Sequence, residues 1–433
     1  MSSLPPSSSP SRGSSPGHAD SSTQPSKRSF ELLSNALDLE SSRKRFKNDR
    51  PTAPFRRAAR WVGRGIDPFV RLRDAFHVGA AYDAAEAEAD EGDAVSVPSD
   101  ELSQSMTEKD RQLHCSVYQR TKSLVPNFCL VLEGLAETAP GSQESLLGMM
   151  TSVVKQCRSD DIGTLKAIGL DIIENHGLLP DEETSWMKQK SSFKENKSLR
   201  GFNNNIFGRL LCPHKYSQLY SQDPEGFCKK VLESDDTVII QASDLPAFLY
   251  DGNYNPEAID KGLLRGPIPV QVYKVIFTSP SSLSAKGGDG NAKGRSSHAQ
   301  LHGLTRVTPH TIAYACMQAR YFCSSLRSWR ERDGKFCLRH FYYYIVALFE
   351  MDAESIWAVE TLDWWDRLVL LGLVIISSHQ YFRQVFGKGP RKFEDSLMQM
   401  EQAADTNSDF NALIAQRIAR RAGVVDGVGD SSS

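Results

Sequence analysis

The sequence predicts a mainly α protein, a single helical globular domain behind a long disordered N-terminal tail, with at most a few short strands. Three observations carry that prediction. Residues 1–29 are dominated by Ser, Pro, Gly and Gln, and such a segment buries too little apolar surface to offset the entropy of ordering it. From Thr107 onward apolar residues recur at steps of three and four, the helical period. No alternating strand–helix pattern and no repeat of fixed period is present. The chain has 433 residues, and the stretch 107–405 is ample for one sizeable core.

The elements follow in order. Residues 1–54 read as a disordered Ser/Pro-rich tail that carries the basic cluster Arg43-Lys44-Arg45-Phe46-Lys47. Within it, Phe30–Glu40 has the spacing of a transient helix through Leu33 and Leu37. Residues 55–106 read as short basic helices and then an acidic linker. Phe55, Ala59, Val62, Ile66 and Phe69 recur at helical steps among arginines, although Gly63 and Gly65 weaken a continuous helix. Asp67-Pro68 has the form of a cap with proline in the first helical position, which predicts a second short helix through Phe76. The alanine-rich acidic stretch after it is the linker.

Residues 107–405 read as the α-rich domain. Val117, Leu124, Phe128, Leu132 and Leu135 form one helical face, interrupted at Pro126. Residues 146–154 and 165–173 make two further helices, the second stopped by Asn175-His176-Gly177. Residues 195–222 read as an extended or looped connection, 237–241 as a lone strand, and 270–277 fit either strand or helix. The Gly/Ser/Lys-rich stretch 279–297 is a loop. Thr308-Pro309 opens a helix to about Trp329, followed by helices over 335–349 and 355–367. A last helix spans 410–421, inside a C-terminal tail assigned to 406–433.

Net charge is −2, so the chain as a whole offers no electrostatic argument for nucleic acid. The distribution offers one locally. Lys27 to Arg73 holds 13 Lys/Arg against 5 Asp/Glu, while Asp83 to Glu108 holds 9 acids and no Lys or Arg. A basic block followed by an acidic one binds a polyanion, or folds back and masks that binding. No hydrophobic signal segment opens the chain, and the longest apolar run, Leu368 to Ile376, is too short to span a bilayer. Eight cysteines are scattered without any C-x-x-C pair. These features predict a soluble protein of a reducing compartment, with free thiols and no membrane partner.

The basic cluster has the form of a nuclear-import signal carried by Arg43, Lys44, Arg45 and Lys47, with Lys27-Arg28 as a loose upstream arm. Import needs an exposed, flexible run of cations that reaches the acidic groove of an import receptor; a solvated patch with no reader is the plainer alternative. Arg56, Arg57, Arg60 and Arg64 are candidate phosphate contacts. Apolar residues at helical spacing usually pack, so docking of this segment onto the protein's own core is the leading expectation.

Other motifs fail on their chemistry. Gly287 to Arg295 imitates a phosphate-binding turn, but the dinucleotide spacing is missed by one residue and no helix start follows. Asp251-Gly252-Asn253-Tyr254-Asn255 begins like a calcium loop, but Pro256 and Gly262 stand where the turn glycine and the bidentate carboxylate belong. Cys316, Cys323, Cys337 and His340 lack a tight first pair and read as buried core residues, and Cys212-Pro213-His214 has no second pair. No hydrolase or Walker motif is present, and no metal or cofactor is expected.

Three segments, RGFNNNIFGRLLCP (200–213), LPAFLYDGNYNPEAIDKGLLRGPIPVQVYKVIFTSPSS (245–282) and HGLTRVTPHTIAYACMQARYFCSS (302–325), with WWDR (364–367) as a weaker fourth, carry a family resemblance. Together they resemble an uncharacterised domain-of-unknown-function family expanded in mushroom-forming (basidiomycete) fungi. The resemblance implies a largely helical fungal domain and transfers no catalytic residue. One departure concerns the last element, which in similar sequences runs straight from W-W-x-R into Q-V-F. Here 368–383 (LVLLGLVIISSHQYFR) intervenes, an apolar insert with the character of a retained intron.

The expectation is therefore a non-enzymatic nuclear interaction protein whose basic tail touches nucleic acid or chromatin. Two alternatives stand beside it. One is a nucleic-acid-processing enzyme derived from a mobile element, with carboxylates such as Asp235, Asp236, Asp244 and Asp251 gathered by the fold. The other is a cytosolic, and so cytoplasmic, protein-binding scaffold.

Overall fold

The computed structural model describes residues 27–41, 50–88, 97–278, 306–353, 355–369 and 408–428. The first layer consists of α1 (Lys27–Ser41), α2 (Ala53–Trp61), a π turn (Val62–Ile66), α3 (Leu72–Glu88), α4 (Glu101–Ser105), α5 (Glu108–Lys122) and α6 (Phe128–Thr138). A long helix, α7 (Ser142–His176), follows. Then come α8 (Glu183–Glu195), α9 (Asn205–Leu211), α10 (Ser217–Gln222), α11 (Pro224–Leu232) and α12 (Pro267–Tyr273). The chain closes with α13 (Pro309–Cys323), the hairpin β1 (Arg332–Asp333) and β2 (Phe336–Cys337), α14 (Leu338–Glu350), α15 (Ile356–Val369) and α16 (Asp409–Val428). The fold is mainly α, as the periodicity predicts, and the hairpin is its one sheet among the described residues.

Helix α7 is the spine. Its 35 residues run about 52 Å at 1.5 Å per residue. Its first half packs Leu146, Leu147, Met150, Val153 and Val154 into one core with α1, α2, α3, α5 and α6. Its second half packs Leu165, Leu170, Ile172 and Ile173 into a larger core built from α8 to α16. The sequence suggests two helices here. The polar stretch between them holds no proline or paired glycine to stop the first, so one helix continues until Gly177.

At the centre of the larger core lie α13 and α14. Thr308 caps α13 through a capping box with Thr311, and Pro309 occupies the first turn, as Thr308-Pro309 predicts. The helix ends at Cys323, where Ser324 turns extended, six residues short of Trp329. Every residue of α13 is buried, and α14 buries Phe341 to Phe349 without a break. The aromatic run Phe341 to Tyr344 is thus core packing.

Several expectations give way. Residues 195–222 are not a loop: 3₁₀ turns and the helices α9 and α10 fill them, because Asn204 caps α9 through its side chain and Ile206, Phe207, Leu210 and Leu211 supply a buried face. Residues 237–241 form no strand, and 270–277 resolve as the end of α12 and a π turn over Lys274–Thr278. Asp67 caps no helix. Its Oδ1 accepts the N–H groups of Phe69 and Val70, closing a bend, and α3 begins five residues later and runs through Glu88 into the stretch read as a linker. Alanines there favour helix over a linker. Core residues stand outside the 107–405 stretch: Leu33, Phe55 and Phe76 before it, and Phe410, Leu413 and Ile414 in the segment read as a C-terminal tail. The loop 279–297 and the insert beyond Val369 lie outside the described residues.

Candidate functional site

The basic segment shows why its arginines part ways. Pro54 sits in the first turn of α2, and Phe55, Ala58 and Ala59 form its buried face. That leaves Arg57 and Arg60 exposed and Arg56 half-buried. At Val62 the helix widens into the π turn, the weakening that Gly63 and Gly65 predict. A Cβ on Gly63 would lie 2.8 Å from Cys157 Sγ, so glycine lets this turn press against α7. The same approach carries Arg64 inside. Its Nε and Nη2 donate to the two oxygens of Asp161 at 2.8 and 2.7 Å, and the side chain is 4% exposed. Arg64 is therefore no phosphate contact: its charge faces a carboxylate in the core. Burial works against that charge, and the Asp161 hydrogen bonds and field more than restore it, so its pKa is raised. Tyr314 on α13 donates to the same carboxylate at 2.8 Å. The import cluster Arg43, Lys44, Arg45 and Lys47 lies outside the described residues.

A second buried polar seam fastens this segment to α13 and α14. Arg120 donates one Nη to the Gly65 carbonyl at 2.9 Å and the other to His310 Nε2 at 2.8 Å. Since guanidinium only donates, His310 Nε2 accepts, and its proton sits on Nδ1, 3.0 Å from the Tyr342 hydroxyl. Tyr342 in turn donates to the Ile66 carbonyl, and Tyr343 to Asp67 Oδ2. Burial, with Arg120 beside it, lowers the His310 pKa, although Glu350, 3.4 Å from Nε2, works the other way.

The carboxylates named for a metal-dependent enzyme do not converge. Asp235 accepts the N–H of Thr237, Asp236 pairs with Lys335, Asp244 pairs with Lys215, and Asp251 folds onto Asn253. Asp251 thus makes a turn, as its neighbours predict. Among the described residues no three His, Cys, Asp or Glu gather in a way that holds a metal ion. All eight cysteines are free, and burial raises the Cys157 and Cys323 thiols to about 12, so both are inert in the core.

Near Asp244 lies one unusual polar group of residues. His214 stacks flat on Tyr254, centroids 3.9 Å apart, and meets Tyr250 edge-on at 4.7 Å. Burial lowers His214 to about 4. Burial, reinforced by Asp244, raises Asp409 to about 6.

A set of cations escaped sequence reasoning. Lys197 donates to the carbonyls of Tyr321 and Leu326, and Arg200 to those of Phe193 and Phe322. They cap the carbonyl end of α13, where a helix presents partial negative charge. Arg320, in the last turn of that helix, is 1% exposed and binds Asp333 at 2.9 Å. Lys197 and Tyr321 stand 124 positions apart in sequence, so no local spacing announces the group.

No described helix is long and apolar enough to cross a membrane. Residues 152–370, half of the chain, match the family model described as a family of unknown function (DUF6698). No curated protein and no solved structure is similar to the chain.

Proposed function

We propose that this chain, which belongs to the DUF6698 family of unknown function, is a non-enzymatic nuclear interaction protein that touches nucleic acid or chromatin through its basic N-terminal segment. The observation that carries the reading is the division of labour along α2 and the π turn after it. The apolar side of α2 and Arg64 of the turn face inward, while Arg57 and Arg60, one turn apart, face solvent. The stretch 42–49, which holds the import cluster, joins α1 to the turn before α2. Six cations (Arg43, Lys44, Arg45, Lys47, Arg57 and Arg60) fall within residues 43–60 of the sequence. An import receptor reads the cluster, and phosphates meet the whole.

The test is binding of random duplex DNA across a salt series, together with imaging of a fluorescent fusion. Each lost phosphate contact shallows the slope of log K against log salt by about 0.9. Arg57→Ala/Arg60→Ala is expected to shallow it by about 2, and alanines at the four cluster positions by up to about 4. The cluster variant also moves the fusion from nucleus to cytoplasm. Salt-independent or absent binding refutes the polyanion contact, and a cytoplasmic wild type refutes import.

A further inference from the structure

A second group of cations lies on the loop and hairpin that join α13 to α14. Residues 327–340, from that loop into the first turn of α14, hold five Lys/Arg against two acids, Glu331 and Asp333. The ion pairs sort them. Arg339 Nε and Nη2 donate to the two oxygens of Glu331 at 3.0 Å each, and Asp333 binds the buried Arg320 at 2.9 Å. Lys335 reaches Asp236, on a different loop, at 3.2 Å. Arg327, Arg330 and Arg332 are left, all three exposed, with no carboxylate partner among the described residues.

The backbone that carries them is fixed by contacts on both sides. Lys197 Nζ donates to the Leu326 carbonyl at 2.8 Å. Trp329 packs on Tyr321, ring centroids 5.0 Å apart, and the Arg158 guanidinium lies 4.2 Å from the centre of the Trp329 ring. Beyond it the Leu338 N–H donates to the Glu331 carbonyl at 2.7 Å, and Gly334, at φ 63°, turns the hairpin that pairs Arg332 with Cys337. A ligand of these arginines therefore orders three side chains and no loop, which keeps its entropic cost low.

Neighbouring charge reinforces them. Arg158 bonds a carbonyl, that of Pro68, and no carboxylate among the described residues. Burial lowers the His340 pKa, and Arg332, Arg339 and Lys109 lower it further against Glu331, so positive charge outweighs negative at that ring. All three unpaired cations are arginines, whose planar fork matches two oxygens of a phosphate. Duplex DNA offers one charge per roughly 1.7 Å of axis. An extended acidic peptide offers at best one per about 3.3 Å, so cations this close in sequence are served better by the duplex.

We infer that Arg327, Arg330 and Arg332 form a second nucleic-acid contact, one that meets the phosphodiester backbone. The inference rests on the proposed N-terminal contact for its choice of polyanion, and none of the N-terminal cations takes part in it.

Fluorescence anisotropy of random duplex DNA with the full chain across a salt series tests it. Arg327→Ala/Arg330→Ala/Arg332→Ala is expected to shallow the slope of log K against log salt by about 2.7, three contacts at about 0.9 each. The same loss is expected in a second background with alanine at Arg43, Lys44, Arg45, Lys47, Arg57 and Arg60. A slope that the triple variant leaves unchanged in both backgrounds overturns this inference alone. A slope that ignores the N-terminal alanines and falls with the triple variant upholds it and refutes the N-terminal contact. Absence of DNA binding by the wild type overturns both. Poly-glutamate of equal total charge that competes as well as unlabelled DNA overturns the nucleic-acid assignment and favours an acidic protein. Exposed side chains without partners predict a urea midpoint equal to that of the wild type; if the triple variant does not fold, Arg327→Ala alone, expected to shallow the slope by about 0.9, decides.

Discussion

Arg64→Met is the sharpest test of how the N-terminal segment is held. In the wild type, two hydrogen bonds of 2.8 and 2.7 Å join the guanidinium to Asp161, with both side chains under 8% exposed. Methionine fills similar space and removes both donors, so Asp161 keeps only the Tyr314 hydroxyl inside the core. Breaking one side of a buried pair leaves an uncompensated charge and costs about 3–5 kcal/mol, against a total stability of about 5–15 kcal/mol for a folded protein. Removing both charges has a different cost. Arg64→Met/Asp161→Leu is expected to recover more than half of the loss, because a buried pair and an apolar replacement are close in energy. The remainder is the Tyr314 hydroxyl without its acceptor, about 1–2 kcal/mol. Urea unfolding followed by tryptophan fluorescence measures all three proteins. Limited proteolysis reports whether 53–88 comes loose in the single variant. A single-variant cost under about 1 kcal/mol, or a double variant as unstable as Arg64→Met, refutes the reasoning.

Two further outcomes follow from the packing and the buried titrating groups. His214, held near 4, is neutral in the fold where an unfolded histidine charges, so its contribution is lost as pH falls from about 6.5 toward 4. Asp409, raised to about 6, keeps its proton in the fold, so its contribution is lost as pH rises from about 4 to 6. Each is worth about 3 kcal/mol at full effect and the two oppose each other; Asp409→Asn should therefore expose a steeper acid loss than wild type, and His214→Gln a gain on acidification, in urea midpoints measured from pH 4 to 7. Gly266→Ala is expected to cost at least about 1–3 kcal/mol, because the new methyl collides with the Phe248 carbonyl in a rigid backbone; a urea midpoint unchanged from wild type contradicts that packing.

Local pattern made much of this protein legible. Thr308-Pro309 announces α13, the apolar run of α14 announces burial on all sides, and the glycines at 63 and 65 mark where α2 loosens. These are short-range effects: caps, periodicity and backbone freedom act within a few residues. The sequence also shows that Arg56, Arg57, Arg60 and Arg64 share one stretch, but it cannot rank them. Arg64 differs from Arg60 only because α7 brings Asp161 to it from 97 residues away. The union of two helices into α7 and the docking of α16 have the same origin. Helix class and charge pattern were determined by the sequence itself, because neighbours along the chain decide them. Which charge turns inward only the tertiary structure decided, because burial and pairing depend on partners that folding alone brings within a few ångströms.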